Sequence, residues 1–260
     1  MPAEKRDLAN KPLAEAVFEF RWALSAAGAL VPGTQRDPHY AVLPGLLYEQ
    51  LRAAYPFTEQ LPAAAVPGDF IAHIVQHRFR SAEGEWPLVQ LGPGVVTAND
   101  TTGYTWVSFQ QQIERLVSAL MKAYPSDSDL RPVAVVLRYI NAIPFDYEKD
   151  DAFEFLRDKL HVGVALPDDL FAEGVERAPS GLDFRTTFPA PSLGGALNLR
   201  VAAGMRDDER VLVWELAAQV ADDGAPTDAS AVIGWTEVAH SLLETWFFTL
   251  IEGPLYEDFM

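Results

Sequence analysis

The sequence predicts an α+β fold: a largely antiparallel sheet with its helices packed on one face, built from two similar halves that each run strand, helix, three strands and long helix. Three observations predict it. Leu13–Trp22 alternates with period two, Tyr104–Tyr124 carries an apolar stripe at helical spacing, and the same order of elements returns from Val133 onward.

From Leu13 to Trp22, Ala14, Ala16, Phe18, Phe20 and Trp22 share one face, while Glu15, Val17, Glu19 and Arg21 share the other. That is a strand with a buried aromatic face. A Gly- and Pro-rich loop from Gly28 to Pro38 follows. Leu43, Leu46, Leu47, Leu51, Ala54 and Tyr55 then recur at helical spacing until Pro56. Phe70–Arg80 alternates and predicts a strand, and Ser81–Gly84 turns the chain. Trp86–Leu91 and Val95–Ala98 are short strands on either side of Gly92-Pro93-Gly94. In the next helix Trp106, Phe109, Ile113, Leu116, Val117 and Leu120 form the stripe, and Pro125 stops it.

The second series begins with the apolar strand Val133–Pro144 and a short helix at Ala152–Leu160. Strands at Leu182–Phe188, Ala196–Met205 and Arg210–Ala221 follow, the last two joined by a turn at Asp207-Asp208. The closing helix spans about Trp235 to Ile251, where Trp235, Val238 and Leu242 repeat the spacing of Trp106, Phe109 and Ile113. The halves divide at 1–130 and 131–260. The connector Pro125–Pro132 is too short to separate them, so one compact unit is expected.

Composition narrows the function classes. Of 260 residues, 49% are apolar, enough to build a substantial core. The chain has no cysteine, which excludes disulfides, thiolate metal sites and a cysteine nucleophile. With 20 basic and 37 acidic side chains the formal charge is −17. Direct nucleic-acid binding is not expected, because phosphate neutralisation needs clustered Lys and Arg. Acidic runs such as Asp207-Asp208-Glu209 read as solvated loops or as a face for a basic partner. No apolar run reaches the ~18 residues a membrane span requires, and Met1–Asn10 lacks the apolar stretch of a signal peptide. A cytoplasmic protein is the expectation.

Reaction motifs are sparse. His73 and His77 have H-x3-H spacing, but in an alternating segment residues four apart lie ~13 Å from each other, too far to share an ion. Neither Gly92-Pro93-Gly94 nor Gly194-Gly195 has phosphate-loop spacing, and no G-x-S-x-G occurs. His161 and His240 read as helix-end or helix-packing residues. No metal site and no cofactor are expected.

Charges inside apolar strands are more informative. Glu15 and Glu19, then Arg138, then Arg200 and Glu215, punctuate strands and belong on the sheet face away from the helices, where each must be solvated or paired. They form either cross-strand ion pairs or, with Tyr139 and Asn141 near the end, a groove for a ligand or partner. Glu15 and Arg138 are expected to meet as a pair where the halves join. The last helix, with Trp246-Phe247-Phe248 and Leu250-Ile251, needs cover on more than one side, either from the sheet and the other long helix or from a second subunit.

Three stretches together carry a family resemblance: Lys11–Phe20, Trp86–Trp106 and Arg138–Asn141. Their Pro12, Glu15 and Ala16, their Gln90, Gly92 and Pro93, their Tyr104 and Trp106, and their Arg138, Tyr139 and Asn141 follow in the order of a sporadically distributed family of uncharacterised prokaryotic proteins known by a numbered sequence model. The chain resembles that family over roughly its first 145 residues and only in outline beyond. The resemblance implies a cytosolic prokaryotic protein, patchily inherited and associated with mobile or defence-related genes, with no established activity or catalytic residues.

From all this the expected function is a non-enzymatic protein-binding or regulatory subunit, its partner a basic protein or a second copy docked through the C-terminal helix. The alternative is a small-molecule or nucleotide sensor with a pocket between sheet and helices that uses Arg138, Gln90 and Tyr104. Across both, the candidate surface is Glu15, Glu19, Gln90, Tyr104, Arg138, Asn141, Arg200 and Glu215.

Overall fold

A computed structural model describes residues 8–26, 34–66, 70–101, 103–172 and 174–260. Within them the alternation of the first strand becomes β1 (Leu13–Trp22), whose Ala16, Phe18, Phe20 and Trp22 are completely buried. The expected Gly/Pro loop lies largely on 27–33, and most of Met1–Asn10 on 1–7, outside the described residues.

The chain continues through α1 (Leu43–Leu51), β2 (Phe57–Gln60), β3 (His77–Arg80), β4 (Leu88–Gly92), β5 (Val95–Asp100) and α2 (Trp106–Ala123). It then runs β6 (Pro132–Pro144), α3 (Ala152–Lys159), β7 (Asp183–Ala190), β8 (Gly195–Arg206), β9 (Glu209–Ala221), α4 (Ala229–Leu250) and α5 (Pro254–Phe259). The nine strands form one sheet in the order β2-β3-β4-β5-β1-β6-β9-β8-β7. Every pairing is antiparallel. The fold is therefore α+β with an antiparallel sheet.

β1 and β6 lie side by side at its middle, with Phe18 opposite Leu137 and Phe20 opposite Val135. All four side chains are completely buried. The core sits on this face, beneath α2 and α4: α2 packs on β5 and α1, and α4 packs on β6, β9 and α2. Trp22 closes one end by donating its indole N–H to Asp37 Oδ2 at 2.9 Å, and Tyr124 donates to Oδ1 of the same carboxylate at 2.9 Å.

Four expectations need correction. Phe70–Arg80 is a strand only from His77 onward. Before that the chain crosses the β4–β5 turn: His73 adopts φ 58°, donates its amide N–H to Pro93 O at 2.9 Å and sets Nε2 3.2 Å from Trp22 O. The crossing depends on Gly92, where a Cβ would meet Ile74 O at 2.1 Å. Next, four strands rather than the expected three lie between α1 and α2, because β2 carries a single large apolar residue in four, too short a pattern to show alternation. Third, α1 stops at Leu51, before the turn that brings Tyr55 into the core. Last, α4 starts six residues earlier than Trp235, at Ala229, because Asp228 caps it by accepting from Ala231 N–H at 2.9 Å. The Asp207-Asp208 turn between β8 and β9 has both residues at positive φ, 50° and 66°, as a type I′ hairpin requires.

Candidate functional site

The period-two geometry of β6 decides which side chains can meet. Arg138 points away from the helices, whereas Tyr139 and Asn141 point beneath them, 9% and 2% exposed. Tyr139 and Asn141 therefore do not join the charged groove expected on the outer face. Instead they line a cavity of about 480 Å³ between β6, α4 and the start of α2. Leu8, Lys11, Pro12 and Leu13 line it from the segment entering β1, Tyr104 to Val107 from the α2 entry, and His240, Leu243, Glu244, Phe247 and Phe248 from α4.

A chain of hydrogen bonds crosses its wall. Tyr104 donates its hydroxyl proton to the Tyr139 oxygen at 2.9 Å, and Tyr139 in turn reaches His240 Nδ1 at 2.9 Å. Tyr139 has one proton to give, so Nδ1 accepts and the imidazole carries its proton on Nε2. Burial pushes the His240 pKa down to about 4, so the ring is neutral at pH 7. Burial also raises both tyrosine hydroxyls well above their ordinary range, and the Glu244 carboxylate adds to this. The chain is thus uncharged through the neutral range. The imidazole stacks on the Trp106 indole with centroids 4.0 Å apart and planes 13° from parallel, which fixes its orientation.

α2 begins at this wall. Thr105 caps it by accepting from Ser108 N–H at 3.2 Å, and Lys11 Nζ donates to Tyr104 O at 3.3 Å. A cationic side chain and a helix N-terminus therefore stand together at the mouth, with Glu244 exposed on the α4 side.

The remaining candidates occupy the other face of the sheet, where each pairs with a side chain of the sheet and only Arg138 and Glu215 pair with each other. Asn99 Nδ2 donates to Glu15 Oε1 at 2.7 Å, and Gln90 accepts from Arg78 at 3.1 and 3.2 Å while donating to Asn99 Oδ1 at 3.2 Å. Glu19 pairs with Arg21 at 2.7 Å, Arg138 with Glu215 at 3.6 Å, and Arg200 with Asp183 at 2.8 Å. The expected Glu15–Arg138 pair does not form. The register sets Arg138 opposite Val17 and Glu15 opposite Ile140, so each charge finds its partner on its other neighbouring strand. Of the expected pocket residues, Tyr104 lines the cavity, and Arg138 and Gln90 lie across the sheet from it.

His240, Trp106 and Lys11 join the site without having been candidates. No sequence signal singled out His240, because its place beside the buried Thr236 and Ala239 on α4 emerges only in the structure. His161, by contrast, sits at a helix end, its Nε2 2.7 Å from Glu252 O. Among the described residues no cluster of three or more potential metal ligands occurs, and no helix is long and apolar enough to cross a membrane. Of the residues that carry the family resemblance, Pro12, Tyr104, Trp106, Tyr139 and Asn141 line the cavity.

Neither a scan of protein-family models nor a search of curated proteins returns a match. Among solved structures, the di-domain ARO/CYC StfQ from the steffimycin biosynthetic pathway aligns at 11% identity over 70% of this chain and 74% of that one, with a TM-score of 0.19. At that score the likeness bears on neither fold nor activity.

Proposed function

We propose that this chain binds a small, largely apolar molecule in the cavity between α2, α4 and β6. The observation that carries this is the cavity itself: about 480 Å³, walled by leucines and aromatic rings, with a few oriented polar groups. That is the usual make-up of a ligand pocket, which spans roughly 300–1,000 Å³. The protonation states favour binding over proton-transfer catalysis, because His240 titrates near 4 and both tyrosines well above neutrality. The outer sheet face, where a protein partner was expected, supports that alternative less well, since its charges are paired within the sheet.

We also infer that residues 1–130 and 131–260 follow one plan. In support, β1 and β6 each open a run of one helix, an antiparallel meander and a long helix, the meander having four strands in the first run and three in the second, and the two opening strands pair at the sheet centre. The cavity lies where the runs meet, with Tyr104 and Trp106 from the first and Tyr139 and His240 from the second.

The test is titration with 8-anilinonaphthalene-1-sulfonate. Wild type is expected to bind it saturably at one site. Val107→Trp, which fills the mouth from a position 60% exposed, is expected to weaken binding at least tenfold. A saturating ligand at 100 times its Kd also raises stability by about 2.7 kcal/mol. Absence of saturable binding, or equal binding by the variant, contradicts the proposal.

A further inference from the structure

Taking the cavity as a binding site, on which this rests, we infer that its ligand has a planar aromatic body and an acceptor oxygen, a carbonyl or a carboxylate, held at the first turn of α2 by His240 Nε2–H. Some donors of this wall have no hydrogen-bond partner among the described residues. His240 spends Nδ1 on Tyr139, and its Nε2–H makes no hydrogen bond to protein among the described residues. The backbone N–H groups of Trp106 and Val107 are first-turn donors beyond the reach of the Thr105 cap, whose side chain accepts from Ser108. Lys11 Nζ lies 3.3 Å from Tyr104 O, two residues before the helix begins, so positive charge stands at the same end.

The Trp106–His240 stack keeps the imidazole plane fixed, so its N–H is directed before any ligand arrives. Behind it the Tyr104–Tyr139 hydroxyl chain holds the Nε2–H tautomer in place. Deeper in, Asn141 is 2% exposed and gives Nδ2 to Trp214 O at 3.4 Å; its amide oxygen takes no protein hydrogen bond among the described residues. Phe247 and Phe248 line the same cavity and supply apolar surface for the aromatic body.

Two charges bear on whether the oxygen is ionised. Lys11 favours a carboxylate, while Glu244 and the overall charge of −17 oppose one, and a neutral carbonyl satisfies the same donors. The test keeps one scaffold and changes its end group: 2-naphthoate, 2-acetylnaphthalene and 2-ethylnaphthalene are titrated into wild type, His240→Phe and Lys11→Met. At least one oxygenated compound is expected to bind wild type tenfold or more tighter than 2-ethylnaphthalene. His240→Phe, which can keep a ring on Trp106, is expected to reduce that preference below threefold without weakening 2-ethylnaphthalene. Lys11→Met separates the two oxygen sources, because it weakens 2-naphthoate and leaves 2-acetylnaphthalene unchanged.

Equal affinity of all three compounds for wild type, or an undiminished preference in His240→Phe, overturns the inference and leaves the binding reading standing. Absence of any saturable binding, 8-anilinonaphthalene-1-sulfonate included, overturns both. Should His240→Phe fail to fold, imidazole ¹⁵N spectra of wild type decide. The Nε2–H resonance is expected to move with the preferred oxygenated compound and not with 2-ethylnaphthalene, and identical responses overturn the inference.

Discussion

Tyr139 holds its neighbours in place with one hydroxyl: it accepts from Tyr104 and donates to His240. Tyr139→Phe removes both bonds and leaves a buried acceptor and donor unmatched, so a loss of about 1–3 kcal/mol in urea unfolding is expected, with the fold retained. His240 adds a pH dependence whose sign follows from burial. Its folded pKa of about 4 lies below the 6.5 of the exposed ring, so the unfolded chain takes up the proton first. Stability is therefore full above pH 6.5 and falls between there and pH 4, by up to about 3 kcal/mol at ~1.4 kcal/mol per unit. His77 is lowered by burial as well, so the comparison is with His240→Phe, for which urea midpoints between pH 7 and 4 should show a shallower fall than wild type. Equal slopes would contradict the burial assigned to His240. At this scale the sequence exposes chemistry only where pattern and chemistry coincide. Arg138 was legible because a charge in an apolar strand must face outward, whereas Tyr139 and His240 look like ordinary core residues until two elements distant in sequence bring them within 2.9 Å.

Among the elements, those with a single strong period were legible almost to the residue. β1 runs from Leu13 to Trp22 as its alternation requires, and α2 follows its stripe between Thr105 and Pro125. The Phe70–Arg80 region defeats periodicity, because its alternating pattern serves a crossing held by His73 and Gly92 rather than a ladder. Gly92→Ala should accordingly destabilise by about 1–3 kcal/mol in urea unfolding, since the added carbon would strike backbone at Ile74 and not a movable side chain. A cap was the missing signal at α4. Asp228→Ala is expected to cost about 1 kcal/mol and fray the first turn, seen as faster amide exchange at Ala231 and Val232.

For the molecule as a whole, the sheet separates two kinds of chemistry: charges matched to one another on its outer face, and an apolar cavity with unmatched donors on its inner one. The division follows from strand alternation, which sends Arg138 outward and its neighbours Tyr139 and Ile140 to opposite sides. The antiparallel sheet and the side bearing the helices were legible from the charge and apolar patterns. A pocket between sheet and helices with Tyr104 in its lining was the alternative expectation, but its α4 lining was not legible, because it depends on how far α4 stands from β6 and on which α4 side chains face the gap. The most direct test is a crystal structure of the protein soaked with 2-naphthoate or 2-acetylnaphthalene, the tighter binder being chosen. The expected result is the naphthalene between Trp106 and Phe247 with an oxygen about 3 Å from His240 Nε2, a normal hydrogen-bond length. An empty cavity at saturating ligand, or the compound seated instead on the outer sheet face, would contradict it.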